Sequence, residues 1–414
     1  MAPGYKSIAR LLKLKDLKLV CMTFHNDNIA RLHVKPKKNG CRCPVCDRRG
    51  RILRERERPR EWRDLSIGGW RLLLSYRPRE IHCATHGRIQ ECIPWAAPEA
   101  QTTYRFEYVM LSLCRDMTQK AAAQILNIAP STLSNLLHRS IQRHRSGHKI
   151  RGLKHLGVDE ISFKKGRKYA TLVYDLDRSR VLWIGEGKGR DAIDQFFNNQ
   201  LSEHQKRQIK AACSDMSQAY IGAIKCHCPN AALVIDRFHV VKALNEAVDE
   251  IRKQQWREAS REDRKVYKGL RWLLYRRSST RTREQTRALK QLEKSNRRIY
   301  RAWQLKEEFE AFWDYNAPWA SERFLKAWLT RCMRSRLDPL KKFARTIRKH
   351  MDAILAYTTH RITNAVSEGL NRIAKIVKNR ASGFRKLDPF SDLIMLTIGD
   401  LDIPEQIPTK FRTM

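Results

Sequence analysis

Residues 155–185, HLGVDEISFKKGRKYATLVYDLDRSRVLWIG, decide the fold. Leu156 to Ser162, Tyr169 to Tyr174 and Val181 to Gly185 are rich in β-branched and aromatic residues, with turn-prone Lys165-Gly166 and Asp175 to Ser179 between them. This pattern predicts a three-strand meander. Downstream, Asp191 to Leu201 reads as a helix, Ile209 to Cys213 and Ala231 to Ile235 as two more strands, and Ser217 to about Lys225 as a helix separating them.

Three antiparallel strands followed by strand–helix–strand units is the ribonuclease H-like order, in which the first and fourth strands are neighbours. Asp159 in the first strand and Asp215 just past the fourth then meet at one end of the sheet. Glu160 is expected on the opposite face of its strand, and Asp175 and Asp177, in a turn, are expected to be solvated. Asp236 follows the fifth strand in Asp236-Arg-Phe-His239. It is either a metal ligand, with His239 contacting phosphate or leaving group, or a cap on the next helix.

Glu368 is placed by periodicity. Ile362, Val366, Leu370, Ile373 and Val377 form an apolar stripe at helical spacing, while Glu368, Arg372, Lys375 and Asn379 fall on another face. A helix laid against the sheet would aim Glu368 at the two aspartates, with Arg372 and Lys375 beside it for phosphate; the alternative is a surface salt bridge from Glu368 to Arg372. Carboxylates are the residue type that Mg²⁺ or Mn²⁺ needs, since oxygen ligands hold a hard cation and leave positions for water and substrate phosphate. Two such ions suit an in-line displacement at phosphorus.

The rest of the chain supplies partners for that chemistry. Lys and Arg number 83 against 43 Asp and Glu, a formal net charge of +40, and such a surface attracts polyphosphate. Charge alone does not separate an enzyme from a chromatin or ribosomal protein. Thr118 to Leu137, TQKAAAQILNIAPSTLSNLL, reads as a helix-turn-helix. Ala122 and Ala123 permit close helix approach, Asn127 suits a left-handed turn, and Pro130 opens the second helix. That helix would present Ser131, Thr132, Ser134, Asn135, His138 and Arg139 to a major groove. An ordinary helical hairpin has the same apolar spacing.

Near the amino end, Cys43-Pro-Val-Cys46 and Cys83-Ala-Thr-His86 repeat one spacing and offer four ligands to a structural Zn²⁺. The 36 residues between Cys46 and Cys83 are a long spacer, and Cys41 and Cys92 are near enough to replace a ligand. Leu17 to Phe24, Ile29 to Val34 and Trp70 to Tyr76 read as strands of a small β-ribbon under the two cysteine knuckles. The eleven cysteines fit thiols and metal ligands better than a disulfide framework. A second metal site at Cys213, Cys226, His227 and Cys228 is disfavoured because adjacent ligands splay apart. From His239 to roughly Tyr357 the pattern is helical, with Trp256, Trp272, Trp303, Trp313, Trp319 and Trp328 expected mostly as core anchors, one or two being available to stack on unpaired bases. No apolar run approaches the roughly 18 residues of a membrane span, and Arg10, Lys13, Lys15 and Lys18 interrupt Ile8 to Val20, so a cytoplasmic protein is expected.

The order of these parts resembles the DDE transposases of the ISL-three insertion-sequence family. The resemblance spans nearly the whole chain and rests on CPVC with CATH, AAAQILNIAPSTLSNLL, LGVDEIS, ACSDMSQAY, VIDRFHVVKALNEAVDEIR, TNAVSEGLNRIAKIVKNRASGFR and FSDLIMLTI. It implies Asp159, Asp215 and Glu368 as the three acids and Asp236 with His239 as the D-x-x-H element of related transposases with a helical insertion. The second zinc pair departs from the more usual two cysteines.

The implied architecture is multidomain α/β. A zinc-binding β-ribbon (1–97) and a helix-turn-helix (98–150) precede a ribonuclease H-like core (151–240 and 357–402) interrupted by an all-helical insertion (241–356), with a tail at 403–414. The implied activity is binding of terminal inverted repeats, Mg²⁺-dependent cleavage and joining of the freed 3′-hydroxyl to target DNA, by a homodimer or higher oligomer on double-stranded DNA in a bacterial, nucleoid-associated setting. Its rivals are a zinc and helix-turn-helix regulator without catalysis and a stand-alone nuclease of the same fold.

Overall fold

The chain divides into two units in the computed structural model, residues 1–148 with 401–414 and residues 149–400. The structure describes residues 17–25, 28–36, 41–147, 149–164, 166, 168–276 and 280–403. The expectations for Ile8 to Asp16, for Lys165 and for 404–414 lie outside the described residues.

In the first unit, β1 (Leu17–His25), β2 (Ile29–Pro36), β5 (Arg71–Tyr76) and β4 (Arg60–Arg63) form one sheet in that order. A second sheet holds β3 (Arg51–Glu55), β6 (Arg79–Cys83) and β7 (Gly87–Gln90). The alternation of the three predicted strands builds the first sheet's core, where Leu19, Leu32, Leu74 and Trp62 are buried. The ribbon under the cysteine pairs is instead the second sheet, a correction to the sequence expectation. Strand β3 is exposed at every residue and so shows no apolar alternation.

Three helices follow, α1 (Tyr104–Asp116), α2 (Gln119–Leu126) and α3 (Pro130–Gly147). Thr118 caps α2 by accepting from the Ala121 N–H, and Asn127 ends it in the left-handed region at φ 49°, ψ 55°. Ala122 and Ala123 are buried, as are Leu133, Leu136 and Leu137 across the turn.

In the second unit β8 (His155–Lys164), β9 (Lys168–Asp175) and β10 (Arg180–Glu186) form the antiparallel meander. Strand β11 (Ala211–Ser214) lies parallel to β8, and β12 (Ala232–Ile235) parallel to β11, giving the order β10-β9-β8-β11-β12. Helices α4 (Arg190–Gln200), α5 (Glu203–Gln208) and α6 (Gln218–His227) occupy the connections before β11 and β12. Phe196, Phe197 and Ile224 pack with Leu156, Val158 and Val173 on one face of the sheet.

After β12 the chain is helical, through α7 (Arg237–Glu258), α8 (Arg261–Tyr275), α9 (Arg283–Ser295), α10 (Arg297–Glu310), α11 (Pro318–Arg334), α12 (Asp338–Lys349), α13 (Met351–His360), α14 (Ala365–Arg380) and α15 (Leu387–Ile398). Of the six tryptophans read as mostly core, Trp303, Trp313 and Trp328 are buried, but Trp256, Trp272 and Trp319 are 37%, 67% and 71% exposed. Arg264 and Arg271 cover Trp256 and Trp272 by cation–π contact at 5.3 and 5.0 Å, which lowers the cost of leaving those rings near water. Asp175 also departs from expectation. It is fully buried, because Arg178 and Arg180 fold back to donate to its Oδ2 at 3.0 and 3.4 Å. No helix of the described residues is long and apolar enough to cross a membrane.

Strand β8 meets α14 at Gly157. A Cβ there would lie 2.7 Å from Leu176 Cδ2, 2.8 Å from Ser367 Oγ and 2.9 Å from Asn364 Oδ1. Gly157→Ala is therefore expected to lower stability by about 1–3 kcal/mol, the usual cost of overpacking. Denaturant unfolding checks this, and an unchanged midpoint would mean that the helix can shift off the strand freely.

Candidate active site

Strand register brings three aspartates to one level. Cys213 pairs with Gly157 and Ser214 with Ile235. Asp215 and Asp159 each lie two residues past the first pair, while Asp215 and Asp236 each lie one residue past the second. All three therefore stand level on adjacent parallel strands, Asp215 and Asp236 just past the ends of β11 and β12 and Asp159 midway along the longer β8. Glu160 takes the other face, as alternation requires, opposite Thr171, whose hydroxyl lies 3.2 Å from that of Tyr220.

Helix α14 closes the row. The Asn364 N–H, just before it, donates to Asp236 Oδ1 at 3.2 Å, and the Asn364 amide donates to Val158 O at 3.3 Å. Asn371 Nδ2 donates to Asp159 Oδ2 at 2.7 Å, and farther along Lys378 Nζ donates to Ser162 O at 2.9 Å. The inward face is thus Asn364, Ser367, Asn371 and Ala374, all buried. It differs from the predicted stripe, in which Val366 and Ile373 prove only half-buried and Ile362 precedes the helix. Glu368 is exposed. At about 100° per residue it stands about 40° from Asn364 and about 60° from Asn371, on the border of the face that touches the aspartates. Among the described residues no ion pair joins it to Arg372. Arg372 and Lys375 are exposed farther along the same helix.

The three aspartates and His239 feel one another. Burial raises the Asp159 pKa, and the negative charges of Asp215 and Asp236 add to it, against the Glu160 N–H and His239. Burial works against protonating His239, yet Asp236, Asp159 and Asp215 lift its pKa above the ordinary value. Asp236 is buried and holds the start of α7, but its side chain makes no cap hydrogen bond; Oδ2 lies 3.1 Å from His239 Nδ1 instead. Asp215 is half-buried, and its Oδ1 accepts from the Ser217 N–H at 2.9 Å.

The cysteine pairs also converge. The ligand atoms of Cys43, Cys46, Cys83 and His86 lie within 4.8 Å of one another, the one such group among the described residues, so Cys213, Cys226, His227 and Cys228 form none. Cys46 Sγ is 3.5 Å from Cys83 Sγ, and His86 Nδ1 is 3.7 Å from both Cys43 and Cys83. Tetrahedral bonds of about 2.3 Å to sulfur and about 2.0 Å to nitrogen require separations of roughly 3.5–3.8 Å. The Thr85 N–H, then His86, brings the Cys83 thiol down to about 6, which favours the thiolate a metal binds. Burial, helped by Glu91, pushes Cys41 up to about 12, and neither it nor Cys92 joins the group. The long spacer is explained by the strands it contains, β3, β4, β5 and most of β6. On α3, Ser131, Thr132, Asn135, His138 and Arg139 are exposed and Ser134 half-exposed, beside the buried Leu133, Leu136 and Leu137.

Sequence reading missed Asn364, Ser367, Asn371 and Tyr174. Small polar residues at helical spacing opposite a strand glycine were the available signal.

Comparison with known proteins shows the family of the chain. Residues 156–394 match a family described as transposase, and residues 91–141 match the helix-turn-helix domain of transposase family ISL3. The chain is 30% identical over 364 residues to the transposase for insertion sequence element IS1001 of Bordetella parapertussis, covering 87% of this chain and 89% of that protein. It is 26% identical over 381 residues to the transposase for insertion sequence element IS1557 of Mycobacterium tuberculosis, covering 86% and 85%. With its acid row inside the first match and its exposed helix face inside the second, the chain belongs to the ISL3 family of DDE transposases.

Proposed function

We infer that this transposase binds the terminal inverted repeats of its insertion sequence, cleaves at their ends and joins the freed 3′-hydroxyl to target DNA, using Asp159, Asp215 and Glu368 as the catalytic acids. The observation that carries the reading is the common register of Asp159 and Asp215 under the helix that bears Glu368. The five-stranded sheet is read as a ribonuclease H-like core, with 241–356 as its helical insertion, 1–97 and 98–150 as the zinc-binding and helix-turn-helix domains, and 403–414 as a tail. A homodimer or higher oligomer on double-stranded DNA would bring two ends together.

The donor set fits hard divalent ions. It is all carboxylate oxygen, its members repel one another, and among the described residues only His239, and no lysine or arginine, is paired with it. Mg²⁺ or Mn²⁺ bound there supplies activation of an attacking oxygen and stabilisation of a leaving one. Between Asp215 and Asp236, burial favours Asp215 as the second acid, since Asp236 is buried and Asp215 only half-buried. Asp236 accepts from the Asn364 N–H and lies against His239. Asp236 then holds α14 on the sheet, and His239 is read as a contact for phosphate or leaving group. Arg372 and Lys375 take substrate phosphates along the exposed face of α14. Base reading falls to Ser131, Thr132, Asn135, His138 and Arg139, and the Cys₃His group holds a structural Zn²⁺ with no open position for catalysis.

Metal analysis of the full chain is expected to return about one zinc per molecule, lost in the Cys43→Ser, Cys83→Ser double variant; full retention there would exclude the site. Asn135→Ala and Arg139→Ala should weaken binding to cognate ends by about 1–3 kcal/mol each while leaving random duplexes nearly unaffected. Equal losses on both would remove α3 as the reader. Asp159→Asn, Asp215→Asn and Glu368→Gln should each abolish cleavage and strand joining while leaving end binding in place, since one centre serves both displacements. Asp236→Asn should act mainly on stability, and cleavage surviving in Asp215→Asn but not in Asp236→Asn would exchange their roles.

A further inference from the structure

We propose that Asn371, locked in orientation by Tyr174, is a positioning residue that fixes the Asp159 carboxylate for catalysis. The inference rests on the reading of Asp159 as a catalytic acid and adds two residues to it.

Asp159 is tied at both oxygens. The Glu160 N–H donates to Oδ1 and Asn371 Nδ2 donates to Oδ2, each at 2.7 Å. A carboxylate held at two points cannot turn about its Cβ–Cγ bond. Neither can the amide that holds it turn, for a reason visible at its other end. The Tyr174 hydroxyl, fully buried, lies 2.6 Å from Asn371 Oδ1. An ionised carboxylate only accepts hydrogen bonds, so the NH₂ must face Asp159 and the carbonyl must face the phenol, which then donates. Burial keeps that phenol protonated by raising its pKa well above the ordinary value, with Asp159 adding to the shift. Turning the amide over would set two oxygens against each other at Asp159 and take from the buried phenol the carbonyl to which it donates.

Geometry puts this clamp where slack would matter most. Tyr174 on β9 is the direct cross-strand partner of Gly157, the residue that lets α14 approach. One chain of hydrogen bonds, Tyr174 to Asn371 to Asp159, therefore joins β9, α14 and β8 next to Glu368. Partners of metal-binding carboxylates commonly contribute through orientation in this way. Asn364 makes no such contact with Asp159: it secures Asp236 and the Val158 carbonyl.

The test uses the full-length protein with Asn371→Ala, Asn371→Asp, Tyr174→Phe and, as reference, Asp159→Asn. Three quantities are read: binding to a duplex carrying the transposon end, calorimetric Mn²⁺ binding without DNA, and single-turnover cleavage as a function of Mn²⁺. End binding should hold, while Asn371→Ala should weaken Mn²⁺ binding and slow cleavage by about 10–100-fold, with partial recovery at high Mn²⁺. Asn371→Asp has the same shape but cannot donate, so it should not rescue. Tyr174→Phe should fall in between, because its amide is present but held at the Asp159 end alone; this variant also keeps the test valid if Asn371→Ala folds poorly. Mn²⁺ binding and cleavage within about twofold of wild type in both Asn371→Ala and Tyr174→Phe, with Asp159→Asn inactive, would overturn the clamp alone. An active Asp159→Asn protein would overturn the acid assignment, and the clamp with it.

Discussion

Carboxylates held at close range in a partly buried site repel one another, and the catalytic unit is organised around that constraint. Parallel register of β8, β11 and β12 forces Asp159, Asp215 and Asp236 to one level. Left alone, such a row would lower its charge by taking up protons or would move apart. Two asparagines on and before α14 and the backbone of Glu160 and Ser217 oppose this by donating to the three side chains. The helix that carries Glu368 is therefore fastened to the sheet by the acids themselves. The contacts that seat α14 are those that set Asp159 and Asp236.

This seating explains why the seam between β8 and α14 is polar. An apolar helix face would have packed on the strand but would have left the buried carboxylate oxygens without donors, a cost of about 1–3 kcal/mol for each unsatisfied group. Gly157 has no side chain, and Ser367 and Asn364 are short, so donor and acceptor come within reach without a gap. Lys378 extends the same pattern to the Ser162 carbonyl at the far end of β8. The apolar burial that stabilises the unit lies elsewhere, behind the sheet around Phe196 and Phe197, and in the helical segment around Trp313 and Trp328.

Those placements account for what the sequence disclosed. The meander and the two parallel strands were legible because short β-branched and apolar runs are bounded by turn residues, and Asp215 and Asp236 stand where the two parallel runs stop, whereas Asp159 lies within the first strand. Helix α14 was legible as a helix but not in phase. Its apolar and polar residues share the 3.6 period, and preference for apolar residues inward selected Val366 and Ile373, whereas the aspartates demanded Ser367 and Asn371. Asp175 looked solvated because a turn aspartate usually is, and the two arginines that bury it lie three and five residues on, a spacing that carries no periodic signal. Strand β3 was hidden for the opposite reason: its side chains are all in water, so pairing with β6 alone makes it a strand.

The distribution of charge bears on the same site. With 83 basic residues against 43 acidic, an acid placed at random on this chain would usually find a lysine or arginine as partner. Asp175, Glu107, Asp64 and Asp249 do so. Among the described residues, Asp159, Asp215 and Glu368 are in no ion pair with either, and Asp236 pairs only with His239. A lysine ammonium in the row would neutralise it permanently and occupy the oxygens. Keeping Arg372 and Lys375 on the exposed side of α14 leaves the row anionic while the surface around it stays cationic. On the proposed reading, opposite demands, a polyanionic substrate and hard cations held by the acid row, would be met by separating the two signs across the width of one helix.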